Sequence, residues 1–252
     1  MEKFINEKVV VYISKFTNTK VIKALKDGMM FSLPFLMIGS LFLLIANLPI
    51  KSLNTLVAEC GLADICSQVY SSTFSLMALF TVVGITYSYL KNDKISTAVN
   101  GALTGLAAFV LLTPSSKVLE NGEAVTGVIS KDWTAGQGMI CAILIGFLVG
   151  YIYSLCIRKD IRVKMPEGVP PGVADSFSSL LPTGIITIIC AIIYAVCHFV
   201  FKTTFAELIY SAIQIPLQGV TDSFAGVVIM TVMMSLLWWT GVHGGSICGG
   251  IL

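Results

Sequence analysis

The sequence predicts an all-α integral membrane protein with about six transmembrane helices, preceded by an N-terminal amphipathic interfacial helix. Of the 252 residues, 56% are hydrophobic and 12% are charged, and the mean hydropathy is +0.87. A soluble domain carries about twice that charged fraction. In addition, charge-free runs long enough to cross a bilayer follow one another along the chain, and the residues before the first run are basic and amphipathic.

Residues 1–27 predict a basic amphipathic helix. This stretch contains six lysines. Its apolar residues recur at helical spacing and form one stripe, which suits a helix lying among the headgroups of an anionic leaflet. A solvated arm is the alternative that the composition leaves open. The stripe consists of Ile5, Val9, Tyr12, Ile13 and Phe16.

The six predicted spans follow in order, each near the roughly 20 residues that a bilayer core requires. Residues 28–157 contain spans one to four, and Pro34 predicts a tolerated kink near the start of the first. Residues 158–182 form a cytoplasmic Pro/Gly-rich linker that ends in a short amphipathic helix. Residues 202–252 contain the sixth span. The predicted runs are 28–48, part of 65–90, 95–112, 133–157, 176–201 and a final run from 223.

The distribution of basic residues predicts the orientation in the membrane. Counted on alternate sides of the six spans, twelve of the 16 lysines and arginines fall on the N-terminal side and four on the other. Because basic residues are retained on the inner side, the N-terminus is expected in the cytoplasm. The net charge of only +2 gives no footprint for nucleic acid.

Two pairs of small residues predict close contacts between helices. Gly101 and Gly105 lie four residues apart in the third span, and Gly146 and Gly150 do so in the fourth. Such pairs let two helix backbones approach closely. The spacing leaves open whether these contacts form within one subunit or across a dimer.

The stretch from Trp239 to Ser246 is the strongest candidate for a binding site, because it brings polar chemistry to membrane depth. An ionisable side chain such as His243 is costly there unless it faces a cavity or a partner. Trp239 offers a face on which a sugar ring can stack, while Gly244 and Ser246 offer backbone and hydroxyl partners. Gln218 is a weaker candidate. The alternative is that the tryptophans mark the membrane interface.

No catalytic motif and no His/Cys cluster with metal-ligand spacing is recognisable in the sequence. The seven cysteines mostly lie in apolar runs, where cysteine behaves as a small hydrophobic residue. No cofactor, metal or catalytic residue is therefore expected. An ion-coupled transporter would need carboxylates inside the spans, and none of the predicted runs contains one.

Three segments resemble the membrane subunit, enzyme IIC, of one class of the bacterial phosphoenolpyruvate-dependent sugar phosphotransferase system. They are KDGMMFSLP at 26–34 with Ile38 to Ser40, MPEGVPPGVADSF at 165–177 and WTGVHGGS at 239–246. The class is the one for lactose, cellobiose and diacetylchitobiose. The resemblance covers the whole chain in order.

This resemblance implies a homodimeric permease of the bacterial cytoplasmic membrane, in which residues 28–157 form the scaffold and dimerisation region. The histidine of the motif, here His243, would contact a disaccharide. A separate enzyme IIB, supplied by enzyme IIA, would phosphorylate the sugar, so none of the cysteines in this chain is expected to carry a phosphoryl group. Whether the chain counts as an enzyme is thus left open.

Members of this class are roughly twice as long, so the resemblance implies that this chain is the N-terminal portion of a permease. Residues 202–252 would then contain the beginning of a transport domain, and the chain alone is expected to be incomplete for transport. The alternative is a half-permease that acts as a structural or regulatory membrane subunit without moving solute.

Overall fold

The computed structural model describes residues 18–119, 122–166, 168–221 and 223–239, and these are almost entirely helical. A 3₁₀ turn, Phe74–Leu76, joins two of the helices, and two π-helical segments, Cys197–Phe201 and Tyr210–Gln214, interrupt the C-terminal part. The helices are α1 (Lys20–Met30), α2 (Leu33–Ala46), α3 (Lys51–Glu59), α4 (Leu62–Thr73), α5 (Met77–Asn92), α6 (Ala98–Leu112), α7 (Lys131–Thr134), α8 (Met139–Arg158), α9 (Pro171–Ser178), α10 (Leu180–Val196), α11 (Phe205–Ile209), α12 (Ile215–Thr221) and α13 (Phe224–Trp239).

The apolar helices occupy the positions of the six predicted runs. Among the described residues, three stretches are long and apolar enough to cross a membrane: Leu62–Asn92, Met139–Arg158 and Pro171–Phe201. The bent pair α1 and α2 makes a fourth if it is counted as one span. The remaining two, Ala98–Leu112 and Phe224–Trp238, are apolar but shorter. The predicted α-helical membrane fold is thus observed, with three or four full-length spans rather than six in the described part.

The first predicted span is bent by 41° between α1 and α2. Pro34 lies in the first turn of α2, directly after the bend. Proline lacks an N–H, and its ring collides with the carbonyl four residues earlier, so a continuous helix through Met30 is disfavoured. Helix α1 begins at Lys20 and therefore extends across the predicted boundary at residue 27. The rest of the predicted N-terminal helix, residues 1–17, lies outside the described residues.

Helix α5 is the centre of the bundle and packs against α1, α6 and α8. Its Val82 and Ile85 side chains are fully buried, and Val82 shares one apolar core with Phe109 of α6 and Ile145 of α8. Each apolar side chain that is buried in this core gains close-packed contacts with its neighbours. The position of α5 therefore fixes the relative placement of three other helices.

All four glycines of the two small-residue pairs face α5 of the same chain. An added Cβ at Gly101 would lie 2.1 Å from an α5 side-chain atom, and one at Gly105 would lie 2.6 Å from another. The corresponding distances at Gly146 and Gly150 are 3.1 and 2.9 Å. These faces are therefore filled from within the chain. The facing residues are Leu90 for Gly101, Thr86 for Gly105, Ile85 for Gly146 and Tyr89 for Gly150.

A further close helix crossing is one that the spacing of the glycines did not indicate. Gly28 of α1 meets Gly84 of α5, where an added Cβ on Gly84 would lie 2.2 Å from the carbonyl oxygen of Gly28. An added Cβ on Gly28 would lie 2.5 Å from the backbone nitrogen of Ile85. Only glycine at both positions allows the two backbones to approach this closely.

A buried carboxylate joins the ends of three helices on one side of the bundle. Asp93, directly after α5, pairs with Lys20 of α1 and, at 2.7 Å, with Arg158 of α8. It also accepts a hydrogen bond from the Ser154 hydroxyl. Burial alone would raise the pKa of Asp93, but the hydrogen bonds from Lys20 and Ser154 and the two positive charges outweigh burial and lower the pKa. The carboxylate therefore stays ionised.

The polar segment between α6 and α7 contains a short β-hairpin, which the sequence analysis did not predict. Strand β1 (Ser116–Val118) pairs antiparallel with β2 (Ala124–Thr126), and all six residues are exposed. Lys117 on β1 contacts Asp132 at 3.2 Å. A hydrogen bond from Ser130, and then the neighbouring Lys117, lower the pKa of Asp132. The hairpin is fastened to the start of α7 by these contacts.

Candidate functional site

The predicted binding stretch begins where the described chain ends. Trp239 is the last residue of α13, and only its backbone belongs to the described part. Its side chain, together with His243, Gly244 and Ser246, lies outside the described residues. The described part therefore shows how the site is approached.

Helix α13 carries the chain to the predicted site. The Ser223 hydroxyl accepts a hydrogen bond from the Gly226 backbone N–H at 3.0 Å and caps the first turn. Only one narrow face is covered: Gly226 is buried, and Met230, Met234 and Leu237 are half-buried at helical spacing. Most of the remaining circumference is apolar and exposed. A helix that is apolar all round is typical of a membrane span.

The segment before α13 folds back onto the beginning of α8. Gln214 is fully buried, and its Nε2 donates a hydrogen bond to the Gly136 carbonyl at 3.2 Å. The Tyr210 ring packs edge-on against Trp133, with 5.7 Å between the ring centroids. Gln218 lies one helical turn after Gln214 and is half-buried on α12. Gln214 thus has a structural role, and α12 begins directly after this anchored residue.

Two π-helical segments flank the reversal between α10 and α12. The first contains His198, which is exposed and stacks on Tyr194 with 5.8 Å between the ring centroids. It ends at Lys202, whose φ of 53° is left-handed. Thr204 and Glu207 then form a capping box that starts α11. Single-turn π segments are rare in proteins, and those that occur are often found at functional sites.

A hydroxyl cluster ties the linker to the bundle, and the sequence analysis missed it. The Tyr153 hydroxyl of α8 is buried and lies 2.9 Å from both the Thr97 and the Ser179 hydroxyls. Thr104 and Thr183 are also 2.9 Å apart. A tyrosine in an otherwise apolar span was the one available signal.

Two further observations concern polar partners and metals. Asn100 of α6 donates a hydrogen bond to the Asp175 backbone carbonyl of α9 at 3.5 Å, so it links two helices. Within the ranges that the structure describes, no three His, Cys, Asp or Glu side chains come together in a way that could hold a metal ion.

The family model "Phosphotransferase system, EIIC" matches residues 26–252. The oligo-beta-mannoside-specific EIIC component of Bacillus subtilis (strain 168) is 33% identical over 251 residues, which make up 98% of this chain and 56% of that protein. The cellobiose-specific EIIC component of Geobacillus stearothermophilus is 30% identical over 264 residues, covering 100% of this chain and 58% of that protein.

The fold is similar to a solved structure as well. The crystal structure of the transporter ChbC, the IIC component from the N,N'-diacetylchitobiose-specific phosphotransferase system, matches with a TM-score of 0.83 and 30% sequence identity. The match covers 99% of this chain and 59% of that chain. This chain thus spans a little over half the length of the relatives it matches. It belongs to the EIIC family of the phosphotransferase system.

Proposed function

We propose that this chain functions in a sugar permease that carries a disaccharide across the bacterial cytoplasmic membrane for phosphorylation. The observation that carries the proposal is the similarity of the fold to the transporter ChbC over 99% of the chain, at a TM-score of 0.83. The specificities of the relatives, cellobiose and oligo-beta-mannoside among them, favour a sugar of the cellobiose, diacetylchitobiose or lactose type.

The proposed sugar contacts are His243 and Trp239, with Gly244, Ser246 and Gln218 in support. An indole face packs against the C–H groups of a sugar ring, and imidazole, hydroxyl and amide groups hydrogen-bond its hydroxyls. The apolar helix α13 leads directly to this stretch, and α12, which carries Gln218, is held in place through Gln214. These features support a site at the end of α13.

The proposed partners follow from the family. A separate enzyme IIB, supplied by enzyme IIA, donates the phosphoryl group, and two copies of the permease form a homodimer in the bilayer. The N-terminus is proposed to lie in the cytoplasm. The clustering of the lysine-rich start of α1 with the basic ends of α5 and α8 around Asp93 supports a single basic side.

The proposal is tested by sugar binding to the purified 252-residue chain, with its two histidines compared. His243→Ala is expected to weaken binding of labelled cellobiose or diacetylchitobiose about 10- to 100-fold, because the sugar hydroxyl loses a hydrogen-bond partner. His198→Ala is the matched control, since that side chain is exposed and contacts only aromatic rings in the described part. Equal affinity in the two variants would remove His243 from the site.

A second candidate is a structural or regulatory membrane subunit that does not move solute. Uptake of labelled disaccharide by cells whose only permease is this chain would exclude it. Stable insertion of the chain without any sugar binding would support it and would leave the family membership untouched.

A further inference from the structure

A basic cavity of about 570 Å³ lies between α1 and α5, beside the Asp93 cluster. Helix α1 contributes Lys23, Lys26 and Asp27, which share one helix face because they are three and four residues apart. Helix α5 contributes Ser88, Lys91 and Asn92 with the same spacing. Two helix faces therefore present polar groups to one space, at the end of the bundle where basic residues collect.

The charges of this cavity are not balanced from within the described chain. Its three lysines and one aspartate leave a formal charge of +2 (three minus one). The ion pairs among the described residues engage other basic side chains, namely Lys20, Lys117, Arg158, Arg162 and Lys164. The cavity lysines are therefore available to an anion.

One residue that lines this cavity, Asn92, has a buried side-chain donor without a partner among the described residues. In the described part of the chain, the side-chain nitrogen Nδ2 of Asn92 is buried and has no hydrogen-bond partner. Such groups are rare because burial removes their water, so each one calls for an explanation. Ammonium and amide N–H groups only donate, and the ligand that satisfies them together is rich in acceptor oxygens and negatively charged. A phosphate group has this chemistry.

An apolar groove of about 320 Å³ adjoins the basic cavity. Phe31 lines both spaces, and the Lys91 ammonium lies 5.5 Å from the ring of Tyr87, which also lines the groove. At the junction, Met30 and Phe31 are about half exposed. The groove is lined by Phe31, Phe35, Phe80, Val83, Gly84 and Tyr87. A charged space thus continues into a hydrocarbon-like one.

We propose that this composite cavity binds an anionic phospholipid. The phosphate lies among Lys23, Lys26 and Lys91 and accepts from Asn92 Nδ2, and one acyl chain lies in the apolar groove. A basic pocket between membrane helices is a recognised form of headgroup site. Inorganic phosphate or a soluble phosphate ester shares the headgroup chemistry but leaves the apolar half empty. The proposal does not depend on the sugar specificity.

The test is native mass spectrometry of the purified chain titrated with phosphatidylglycerol or phosphatidylcholine. Wild-type protein is expected to bind phosphatidylglycerol more tightly than phosphatidylcholine. The double variant Lys23→Gln with Lys26→Gln is expected to weaken phosphatidylglycerol binding roughly 25-fold, because each lysine near an anionic group contributes about five-fold. The matched control combines Lys94→Gln with Lys159→Gln, which removes the same charge from the same side of the bundle outside the cavity.

Equal losses in the two double variants would overturn the proposal, since they would indicate nonspecific attraction to the basic side. Displacement of the lipid by millimolar inorganic phosphate would replace it with a soluble anion as the ligand. A change in the monomer to dimer ratio with lipid binding unaltered would assign the groove to a second copy of the chain.

Asn92→Leu gives a second readout that does not rely on charge. Because an unpartnered buried donor is unfavourable, the variant is expected to melt at a higher temperature than wild type without lipid. Its temperature rise on adding phosphatidylglycerol is expected to be smaller than that of wild type. A lower melting temperature without lipid and an undiminished rise would show that Asn92 is structural and would overturn its assigned contact.

Discussion

Replacing Asp93 with asparagine tests whether one buried carboxylate holds three helix ends together. The substitution keeps the size of the side chain but removes the charge that faces Lys20 and Arg158. Asparagine retains one oxygen that can accept a hydrogen bond, while its amide nitrogen adds a donor where the three existing partners are themselves donors. We therefore expect the ends of α1, α5 and α8 to be held less tightly.

The magnitude follows from the exposure of the three charges. The Asp93 side chain is 5% exposed, but those of Lys20 and Arg158 are 34% and 62% exposed. Breaking a fully buried pair costs about 3–5 kcal/mol because the remaining charge is stranded. Here both cations still reach water, and the loss reduces to about 2 kcal/mol, the value typical of a hydrogen bond to a charged group. For a chain of this size, that corresponds to roughly 4–8 °C in melting temperature.

The assay is thermal unfolding of the detergent-solubilised protein between pH 3 and pH 8. Because the folded-state pKa of Asp93 is lowered, its stabilisation is complete above the ordinary carboxyl pKa and disappears as the pH falls through the lowered value. The difference between wild type and Asp93→Asn is therefore expected to be constant near pH 7 and to shrink in acid.

Asp160→Asn is the matched control for this measurement. Asp160 also contacts two cations, Arg162 and Lys164, but its side chain is 46% exposed. Exposed pairs contribute little, so we expect a much smaller change than at Asp93. Melting of Asp93→Asn within 1 °C of wild type at pH 7, or equal losses in the two variants, would refute the reasoning.

Two further substitutions test the packing around α5 and α8. Gly84→Ala places a Cβ 2.2 Å from the Gly28 carbonyl oxygen and is expected to cost about 2–3 kcal/mol in unfolding free energy. In the control, Gly184→Ala, the added Cβ meets no atom within 4 Å, and the variant is expected to stabilise α10 slightly. Similar melting temperatures for the two variants would contradict the close crossing. Tyr153→Phe removes a hydrogen-bond partner from the buried Thr97 and Ser179 hydroxyls, of which Ser179 keeps its bond to the Asp175 carbonyl, and it is expected to cost about 1–3 kcal/mol in unfolding free energy. Tyr151→Phe, at a residue that is 58% exposed, is expected to have no effect. Equal effects of the two variants in chemical unfolding would contradict the cluster.

The helices could be predicted because membrane spans leave a strong local signal. A run of about 20 apolar residues has few alternatives to a helix in a bilayer, and each predicted run contains one. The break after Met30 was signalled by Pro34, but its angle depends on how α1 packs against α5. The hairpin of Ser116–Val118 and Ala124–Thr126 was missed because two exposed strands of three residues leave no clear alternation of apolar and polar residues.

Contacts between distant residues were less predictable than the helices. Gly28 and Gly84 lie in different helices and neither belongs to a pair of glycines four residues apart, although Ala24 precedes Gly28 and Ser88 follows Gly84 at that spacing. The sequence does not indicate that these two faces meet each other. Asp93 was visible as a charge at the end of a span, but the meeting of Lys20 and Arg158 around it depends on the tertiary arrangement. The sugar contacts proposed for His243 stay a prediction, because that residue lies outside the described part.

The central position of α5 has a consequence for the order in which the chain is built. A ribosome synthesises α5 before α6 and α8. In the finished fold the Thr86 hydroxyl lies 3.3 Å from the Gly146 carbonyl of α8, but Thr86 enters the bilayer before that carbonyl has been synthesised. The same hydroxyl donates at 2.8 Å to the Val82 carbonyl one turn earlier. The Thr86 hydroxyl thus has a hydrogen-bond acceptor within α5 during insertion, and the helix can lie in lipid before its later neighbours are synthesised.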